Sequence, residues 1–214
     1  MKTKEIKQFY DHWDVNKLPK YMKDIIDFAD TLIEEEIKDK ISGFVLDAGS
    51  GFGRFYNILK DYDTIYLDIS LNLLKKHKGD KKVVGNLLYL PFKDNVFDTV
   101  LCINVLEHIG IEGFKEIYRV LKRGGKAIIV FMNKDCLFKE EIFFNFDIFH
   151  KPLSIEDFKG YKIIYKKSFY FFPPIFKIFP NLKMIFKFWK RIDKLLSKFS
   201  KRGNFIILVI EKVE

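Results

Sequence analysis

The chain has 214 residues, enough for one α/β domain with a full hydrophobic core but too few for two comfortable ones. With 48% hydrophobic and 31% charged residues, the composition is typical of a globular protein and excludes a disordered one. The net charge of +9 favours anionic partners such as nucleic acid or a phospholipid surface, while the two cysteines provide neither a disulfide framework nor a metal-ligand spacing. We therefore expect no metal site and, with no secretory signal visible, a cytoplasmic protein.

The predicted elements begin with helix and continue as strands that alternate with helices. Residues 5–40 carry apolar side chains at intervals of three and four, which predicts a helical N-terminal cap. Short apolar segments predict strands at 44–48, 64–68, 82–85, 98–104, 126–132, 160–169 and 204–213. Helical patterns separate most of the first five strands. This alternation predicts a mostly parallel sheet with helices on both faces.

The turn after the first strand is rich in glycine. Residues 44–59 read "FVLDAGSGFGRFYNIL", with Gly49, Gly51 and Gly53 at every second position. Glycine lets the backbone adopt positive φ and approach a ligand closely. A dinucleotide-binding turn would need glycine where the chain has Arg54, and a phosphate-binding P-loop would need Gly-Lys-Ser/Thr. A tight turn without a ligand is the alternative to a different kind of cofactor.

Polar residues also end the next predicted strands. Asp68 ends the second strand, twenty-one residues after Asp47, and an acid near this spacing holds a ribose diol in nucleotide-binding folds. A carboxylate can accept both hydroxyl protons. Asp68 as the cap of the following helix is the alternative, although Ser70 is better placed for capping. Asn104 ends the fourth strand, at the same edge of the sheet.

Four segments in order resemble the motifs of class I S-adenosylmethionine-dependent methyltransferases, specifically the methyltransferase type 11-like domain. "LDAGSGFG" is similar to the family's D-x-G-x-G-x-G motif. "GNLLYLPFKDNVFD" is similar to its G-D-x-x-x-L-P-F-x-D-x-x-F-D segment, with Asn86 in place of the aspartate. "CINVLEHI" and "RVLKRGG" match two further family patterns, the second with Arg123 in place of proline. The resemblance spans residues 41–132 and implies a Rossmann-like, seven-stranded, mostly parallel sheet with an antiparallel last strand.

The resemblance also implies S-adenosyl-L-methionine as the cofactor and assigns residues to it. In this family the position of Asp47 lies near the methionine amino group, and that of Asn104 lies along the methionine moiety. The position of Asn86 accepts a hydrogen bond from the adenine amino group, with a plain turn residue as the alternative. The predicted cofactor-binding residues are Asp47, Gly49, Gly51, Gly53, Asp68, Ile69, Asn86, Leu87 and Asn104.

We expect a single methyltransferase domain over residues 1–214. Its parts are an N-terminal helical cap (1–40), a cofactor-binding core (41–132), a substrate-side lid (133–203) and the last strand (204–214). The lid contains "FHKPLSIEDF", which resembles a family segment near the substrate. His150 is therefore our first choice of catalytic base, ahead of His12 and His108. His77 lies in a lysine-rich helix and is expected to be solvated.

The segment 169–199 provides the main clue to the substrate. A helix is predicted from about residue 182, with a lysine stripe and an apolar stripe formed by Leu182, Ile185, Trp189, Ile192, Leu196 and Phe199. Such a helix suits peripheral contact with an anionic membrane, cover for a pocket that binds a lipid or quinone precursor, or ordinary packing on the sheet. We predict methyl transfer to a small molecule, preferably lipid- or quinone-like. An RNA or tRNA methyltransferase and a non-catalytic S-adenosylmethionine-binding regulatory protein are the alternatives.

Overall fold

The computed structural model describes residues 2–138, 151–172 and 182–213. Its strands are β1 (Val45–Ala48), β2 (Thr64–Asp68), β3 (Lys82–Val84), β4 (Phe97–Ile103), β5 (Leu121–Met132), β6 (Lys162–Phe169) and β7 (Phe205–Glu211). Its α-helices are α1 (Lys2–His12), α2 (Lys20–Ile37), α3 (Tyr56–Leu59), α4 (Leu71–Lys76), α5 (Leu106–Ile109), α6 (Glu112–Val120) and α7 (Leu182–Phe199). Short 3₁₀ helices lie at Val15–Lys17, Lys38–Lys40 and Ile155–Phe158.

The strands form one seven-stranded sheet in the order β3-β2-β1-β4-β5-β7-β6. The strands from β1 to β5 pair in parallel, whereas β7 runs antiparallel to both of its neighbours, β5 and β6. This confirms the predicted mostly parallel sheet with an antiparallel last strand. The chain moves outward from β1 to β3 and then returns to β4, so the strand order reverses between β1 and β4. Ligands bind at such a reversal, beyond the carboxyl ends of the strands.

The sheet has a hydrophobic core on each face because successive residues of a strand point to opposite sides. In β1, Val45 packs in the core that also contains Ile25 and Ile33 of α2. The next residue, Leu46, packs in the core that contains Phe114 of α6. These side chains are fully buried. The prediction of helices on both faces is therefore confirmed.

The N-terminal cap consists of two helices, whereas the apolar spacing predicts helix throughout residues 5–40. The first helix ends at His12 and the second begins at Lys20. Pro19 precedes the second helix with a φ of −53°, and its fixed φ and missing N–H suit the start of a helix better than its interior. The prediction of helix is thus wrong across residues 13–19, apart from a single 3₁₀ turn.

Helix α7 begins at Leu182, where the sequence predicts it, and one of its faces packs on α2. Phe186 stacks on Phe28 of α2, with ring centroids 4.3 Å apart. Asp193, on the same side of α7, is 2% exposed and accepts a hydrogen bond from the Phe171 N–H at 2.6 Å. These contacts fix the helix against the core.

Only part of the apolar stripe that the sequence predicts on α7 packs against the hydrophobic core. Ile185 and Trp189 pack against the core, as the ordinary-packing alternative requires. Leu196 and Phe199 are exposed instead, and Phe199 is 83% exposed. Among the described residues, no helix is both long enough and apolar enough to cross a membrane.

Candidate active site

A cavity of about 250 Å³ opens at the carboxyl ends of β1, β2 and β4, beneath α1 and α2. It lies at the reversal of strand order, where parallel strands leave loops and backbone N–H groups open to a ligand. The predicted cofactor-binding residues that line it are Asp47, Gly49, Gly51, Asp68, Ile69, Asn86, Leu87 and Asn104. Gly53, the remaining member of the predicted set, does not line the cavity. The fold therefore brings together residues that are far apart in sequence.

All three glycines of the turn have positive φ, but an added side chain would meet a different environment at each of them. A Cβ on Gly49 would lie 2.3 Å from the Val105 side chain, and one on Gly53 would lie 2.9 Å from the His77 ring. These two glycines are needed for packing. Gly51 has a φ of +54°, and its Cβ would meet only a Leu73 methyl group, at 3.9 Å. Because the protein leaves this space open and Gly51 lines the cavity, the turn forms a cradle that a side chain would fill.

Asp68 joins the end of β2 to the glycine turn. One carboxylate oxygen accepts the Gly51 N–H at 2.8 Å, and the other accepts the Ser70 N–H at 2.8 Å. Each oxygen has a further lone pair, so the carboxylate can still accept two hydroxyl groups. Ser70, not Asp68, caps the following helix, since its hydroxyl accepts the Leu73 N–H. This excludes the capping alternative for Asp68.

Five buried side-chain oxygens at the cavity make no hydrogen bond of normal geometry with the protein: Asp47 Oδ2, Ser50 Oγ, Asn104 Oδ1 and both oxygens of Glu107. Burial, followed by the nearby Asp68 charge, raises the pKa of Asp47 to about 7. Asn104 has a φ of +55°, an uncommon backbone conformation for a side-chain-bearing residue. Leaving buried acceptors unpaired costs stability, so such atoms indicate a ligand that donates hydrogen bonds. The ammonium, sulfonium and diol groups of S-adenosyl-L-methionine fit this acceptor-rich lining.

Arg54 supplies the positive charge at the cavity. Its Nε donates to Asp30 Oδ2 at 2.9 Å, and its other donor nitrogen forms a second bond to the same carboxylate, so α2 holds the guanidinium in a fixed orientation. Burial raises the pKa of both Asp47 and Glu107, and the Arg54 charge offsets part of that rise. Arg54 lines the cavity, so its guanidinium is available to a ligand carboxylate there. The sequence pattern contains no signal for this role, since Asp30 lies in a distant helix.

The Asn86 side chain forms a hydrogen bond within its own turn. Its side-chain oxygen accepts the Leu88 N–H at 3.0 Å, which supports the turn-residue alternative. One lone pair of that oxygen remains for an adenine amino group. Leu87 is 6% exposed and lines the cavity beside it.

Glu107, His108 and Tyr10 form a second polar group in the cavity wall. The Tyr10 hydroxyl and His108 Nε2 are 2.8 Å apart, and this contact joins α1 to α5. Glu107 is 1% exposed, and neither of its oxygens makes a hydrogen bond of normal geometry. Burial raises the pKa of Glu107 to about 8, although nearby backbone N–H groups and Arg54 lower it. The "LEH" pattern in the sequence is the signal that could have identified Glu107 as a site residue.

The other predicted histidines have different outcomes. His150 lies outside the described residues. His12 is exposed, and its Nδ1 lies 2.8 Å from the Gln8 carbonyl oxygen of its own helix. His77 is 3% exposed, so the prediction that it is solvated is wrong. It packs on Tyr66 with ring centroids 4.1 Å apart, and burial lowers its pKa to about 4.

Comparison with known proteins identifies the family. A methyltransferase domain model matches residues 46–129. An uncharacterized protein of Methanocaldococcus jannaschii is 54% identical over 98% of this chain and 99% of that relative. A tRNA (carboxymethyluridine(34)-5-O)-methyltransferase of Xenopus tropicalis is 33% identical, but over 40% of this chain and 15% of its own length.

A solved structure of the same fold is geranyl diphosphate C-methyltransferase from Streptomyces coelicolor A3(2), in complex with Mg²⁺, geranyl diphosphate and S-adenosyl-L-homocysteine. It has a TM-score of 0.66 and 13% identity, and the match covers 99% of this chain and 98% of that one. The matched domain model contains the strand ends that build the cavity, and the cavity's unpaired acceptors suit the cofactor of that family. The chain belongs to the class I S-adenosyl-L-methionine-dependent methyltransferases.

Proposed function

We propose that this methyltransferase acts on an apolar small molecule of the lipid- or quinone-like class. The observation that carries the proposal is the lining of the cavity on the side of the N-terminal helices. The side chains there are almost all apolar or aromatic: Ile6, Phe9, Tyr10, Trp13, Leu18, Met22, Ile26 and Ala29. Pockets with this lining bind apolar ligands by removing their surface from water.

The polar and apolar parts of the cavity suggest a division of roles. The glycine turn, Asp68 and Asn86 would hold the cofactor at the strand ends, with Asp47 at its amino group. The apolar helices would hold the acceptor above it. The bound cofactor supplies a methyl group on a sulfonium, which an acceptor atom attacks in line. The protein contributes alignment of the acceptor and exclusion of water.

Glu107 is our choice of proton acceptor among the described residues. A general base works best when its pKa lies near the working pH, and burial raises the pKa of Glu107 to about 8. In its ionised form, which gains population as the pH rises toward 8, Glu107 would accept a proton from a hydroxyl or an acidic carbon of the acceptor, since its oxygens are not held by other hydrogen bonds. The Tyr10–His108 contact would hold α1 across the acceptor. His150 stays a prediction.

A lipid-like acceptor must be taken from a membrane, so the proposal includes peripheral contact with an anionic membrane surface. The net charge of +9 supports attraction to such a surface.

Methylation of tRNA is the second candidate function. The partial match to the Xenopus tropicalis tRNA methyltransferase and the net charge of +9 favour it. The apolar lining of the cavity favours the small molecule, because an RNA base would need polar partners for its hydrogen-bonding edges.

One transfer experiment separates these functions. The protein would be incubated with S-adenosyl-L-methionine labelled in the methyl group and, in parallel, with a total lipid extract, an aqueous metabolite extract and purified tRNA. We expect label in material that partitions into organic solvent. Label in the tRNA alone would replace the proposal with the second candidate, and label in the aqueous pool alone would exclude the lipid-like class. Glu107→Gln should reduce the transfer while cofactor affinity, measured by calorimetry, stays within about threefold because a neutral carboxyl and an amide are close in size.

A further inference from the structure

A second apolar stripe on α7 faces away from the core. It consists of four large side chains: Met184, Phe188, Leu195 and Phe199. Their exposed fractions are 75%, 64%, 57% and 83%. Because they follow one another at four, seven and four positions, about one or two helical turns, they lie along one face of the helix. We call this face the outer apolar stripe.

A basic stripe runs beside the outer apolar stripe. Lys187, Arg191, Lys194 and Lys198 are exposed and follow one another at four, three and four positions. The acidic residue within α7, Asp193, is 2% exposed and lies on the inner face. The outward surface of α7 therefore combines exposed apolar side chains with positive charge and has no acidic side chain to offset it.

The outer stripe is not needed to hold α7 in place. The inner face already packs through Phe186 and through Trp189, whose ring lies 5.3 Å from that of Phe172. At the edge of this face, Lys190 forms an ion pair with Glu35 of α2. Exposed apolar side chains that do not serve folding are unfavourable in water, and a contiguous set of them marks an interaction surface.

We propose that the outer apolar stripe and the basic stripe of α7 dock the protein onto an anionic phospholipid membrane. The inference rests on the proposed lipid-like acceptor and names the surface that would collect it. The stripes have complementary roles: Phe188, Leu195 and Phe199 insert among the lipids at the interface, and the lysines contact the anionic headgroups. The helix lies flat on the membrane, since it is not apolar enough to span one.

The position of α7 relative to the cavity supports a membrane as the source of the acceptor. The inner face of α7 packs on α2 through Phe28. The same helix, α2, presents Met22 and Ile26 to the apolar part of the cavity. A membrane at α7 thus lies on the side of the sheet where the apolar wall of the cavity is built.

Charge and size argue against a second copy of this chain as the occupant of the stripe. Two copies packed through α7 would bring their basic stripes close together, where like charges repel. Four side chains on one helix also form a smaller patch than the roughly 800 Å² per partner of a standard protein interface. An anionic membrane offers the opposite charge and can accept a single narrow stripe.

Co-sedimentation with vesicles tests the docking surface. The intact protein would be mixed with vesicles of phosphatidylcholine, with and without phosphatidylserine, at low and high salt. We expect binding to the vesicles that contain phosphatidylserine, and loss of that binding at high salt because the charges are screened over about 8–10 Å at physiological ionic strength. Binding that ignores phosphatidylserine, or no binding at low salt, would overturn the proposal.

Matched variants locate the binding to α7. Lys187→Glu, Lys194→Glu and Lys198→Glu together should weaken vesicle binding more than about 100-fold, given roughly fivefold per positive charge lost. These positions are preferred to Lys190, whose replacement would also break the ion pair with Glu35. The control has the same change of charge at exposed lysines elsewhere: Lys93→Glu, Lys115→Glu and Lys159→Glu. Equal losses in both triple variants would show a general charge effect and contradict a specific surface.

A third variant, Phe188→Ser with Leu195→Ser, tests the apolar stripe without changing the charge. It should lose vesicle binding at least tenfold while the melting temperature stays close to that of the parent, since both side chains are exposed. A dimer in the parent that becomes a monomer in this variant would assign the stripe to self-association instead. Methyl transfer to a detergent-dispersed lipid extract, measured in parallel, separates the two proposals. Transfer without vesicle binding rejects only the docking surface, and vesicle binding without transfer to lipid rejects only the proposed acceptor.

Discussion

Replacing Gly51 by alanine separates a turn that binds the cofactor from a turn that is merely structural. Gly51 has a φ of +54°, and its added Cβ would meet only a Leu73 methyl group at 3.9 Å. The folded protein therefore has room for the methyl group and bears only the cost of the left-handed conformation, about 1–2 kcal/mol. For a chain of this size, this lowers the melting temperature by roughly 2–8 °C.

The effect of Gly51→Ala on cofactor binding should exceed this modest cost. The new methyl group would occupy the cradle against which the cofactor lies, and overpacking of a tight contact costs about 1–3 kcal/mol, or roughly 5- to 150-fold in affinity. Calorimetric titration with S-adenosyl-L-homocysteine measures this loss.

Gly124→Ala is the matched control for Gly51→Ala. Gly124 has a φ of +73°, its Cβ would meet nothing within 4 Å, and it is not among the residues that line the cavity. This variant should show a similar loss of melting temperature and normal cofactor affinity. If Gly51→Ala also binds the cofactor normally, the glycine turn does not contact the cofactor and our reasoning about it is refuted.

Asp68→Ala should weaken cofactor binding by about 1.5–3 kcal/mol, the range for hydrogen bonds to a charged group, and unchanged affinity in a folded variant by calorimetry would exclude Asp68 as the ribose ligand. Glu107→Gln should flatten the pH dependence of stability. Burial raises the pKa of Glu107 from 4.5 to about 8. Between these two pH values the native state therefore keeps a proton that the unfolded chain loses. The unfolding free energy of the parent should therefore fall as pH rises, by up to about 1.4 kcal/mol per pH unit from this group, and denaturant titrations that give parallel curves for parent and variant would contradict its raised pKa. His77→Phe should remove a pH dependence of the opposite sign. Burial lowers the pKa of His77 from 6.5 to about 4, so the parent loses stability as the pH falls between these values. Denaturation curves of parent and variant from pH 7 to pH 4 measure how much of this loss the variant avoids.

Much of the site could be predicted because parallel strands end at one edge of the sheet. Asp47, Asp68 and Asn104 each stand at the end of an apolar run, and the sequence pattern alone places them together. Their burial and the bond from the Gly51 N–H to Asp68 required the structure. The pattern predicted where the residues lie but not their protonation, because the raised pKa of Asp47 depends on desolvation and on the charge of Asp68.

Residues whose environment is set by distant elements could not be predicted. Arg54 is oriented by Asp30, which lies in a helix that precedes the sheet. His77 has lysine neighbours in sequence, yet the packing of its ring on Tyr66 buries it. In α7 the periodicity identifies apolar positions, but both Phe186 and Phe188 satisfy a helical spacing. Only the packing on α2 shows that Phe186 is inside and Phe188 is outside.

A crystal structure with S-adenosyl-L-homocysteine tests most directly the central claim that the cofactor lies at the strand ends and the acceptor beneath the N-terminal helices. We predict that the ribose hydroxyls bond to Asp68, that the homocysteine amino group lies at Asp47, and that the sulfur faces the apolar wall containing Met22 and Ile26. A cofactor whose ribose lies away from Asp68, or whose sulfur faces bulk solvent instead of that wall, would contradict it.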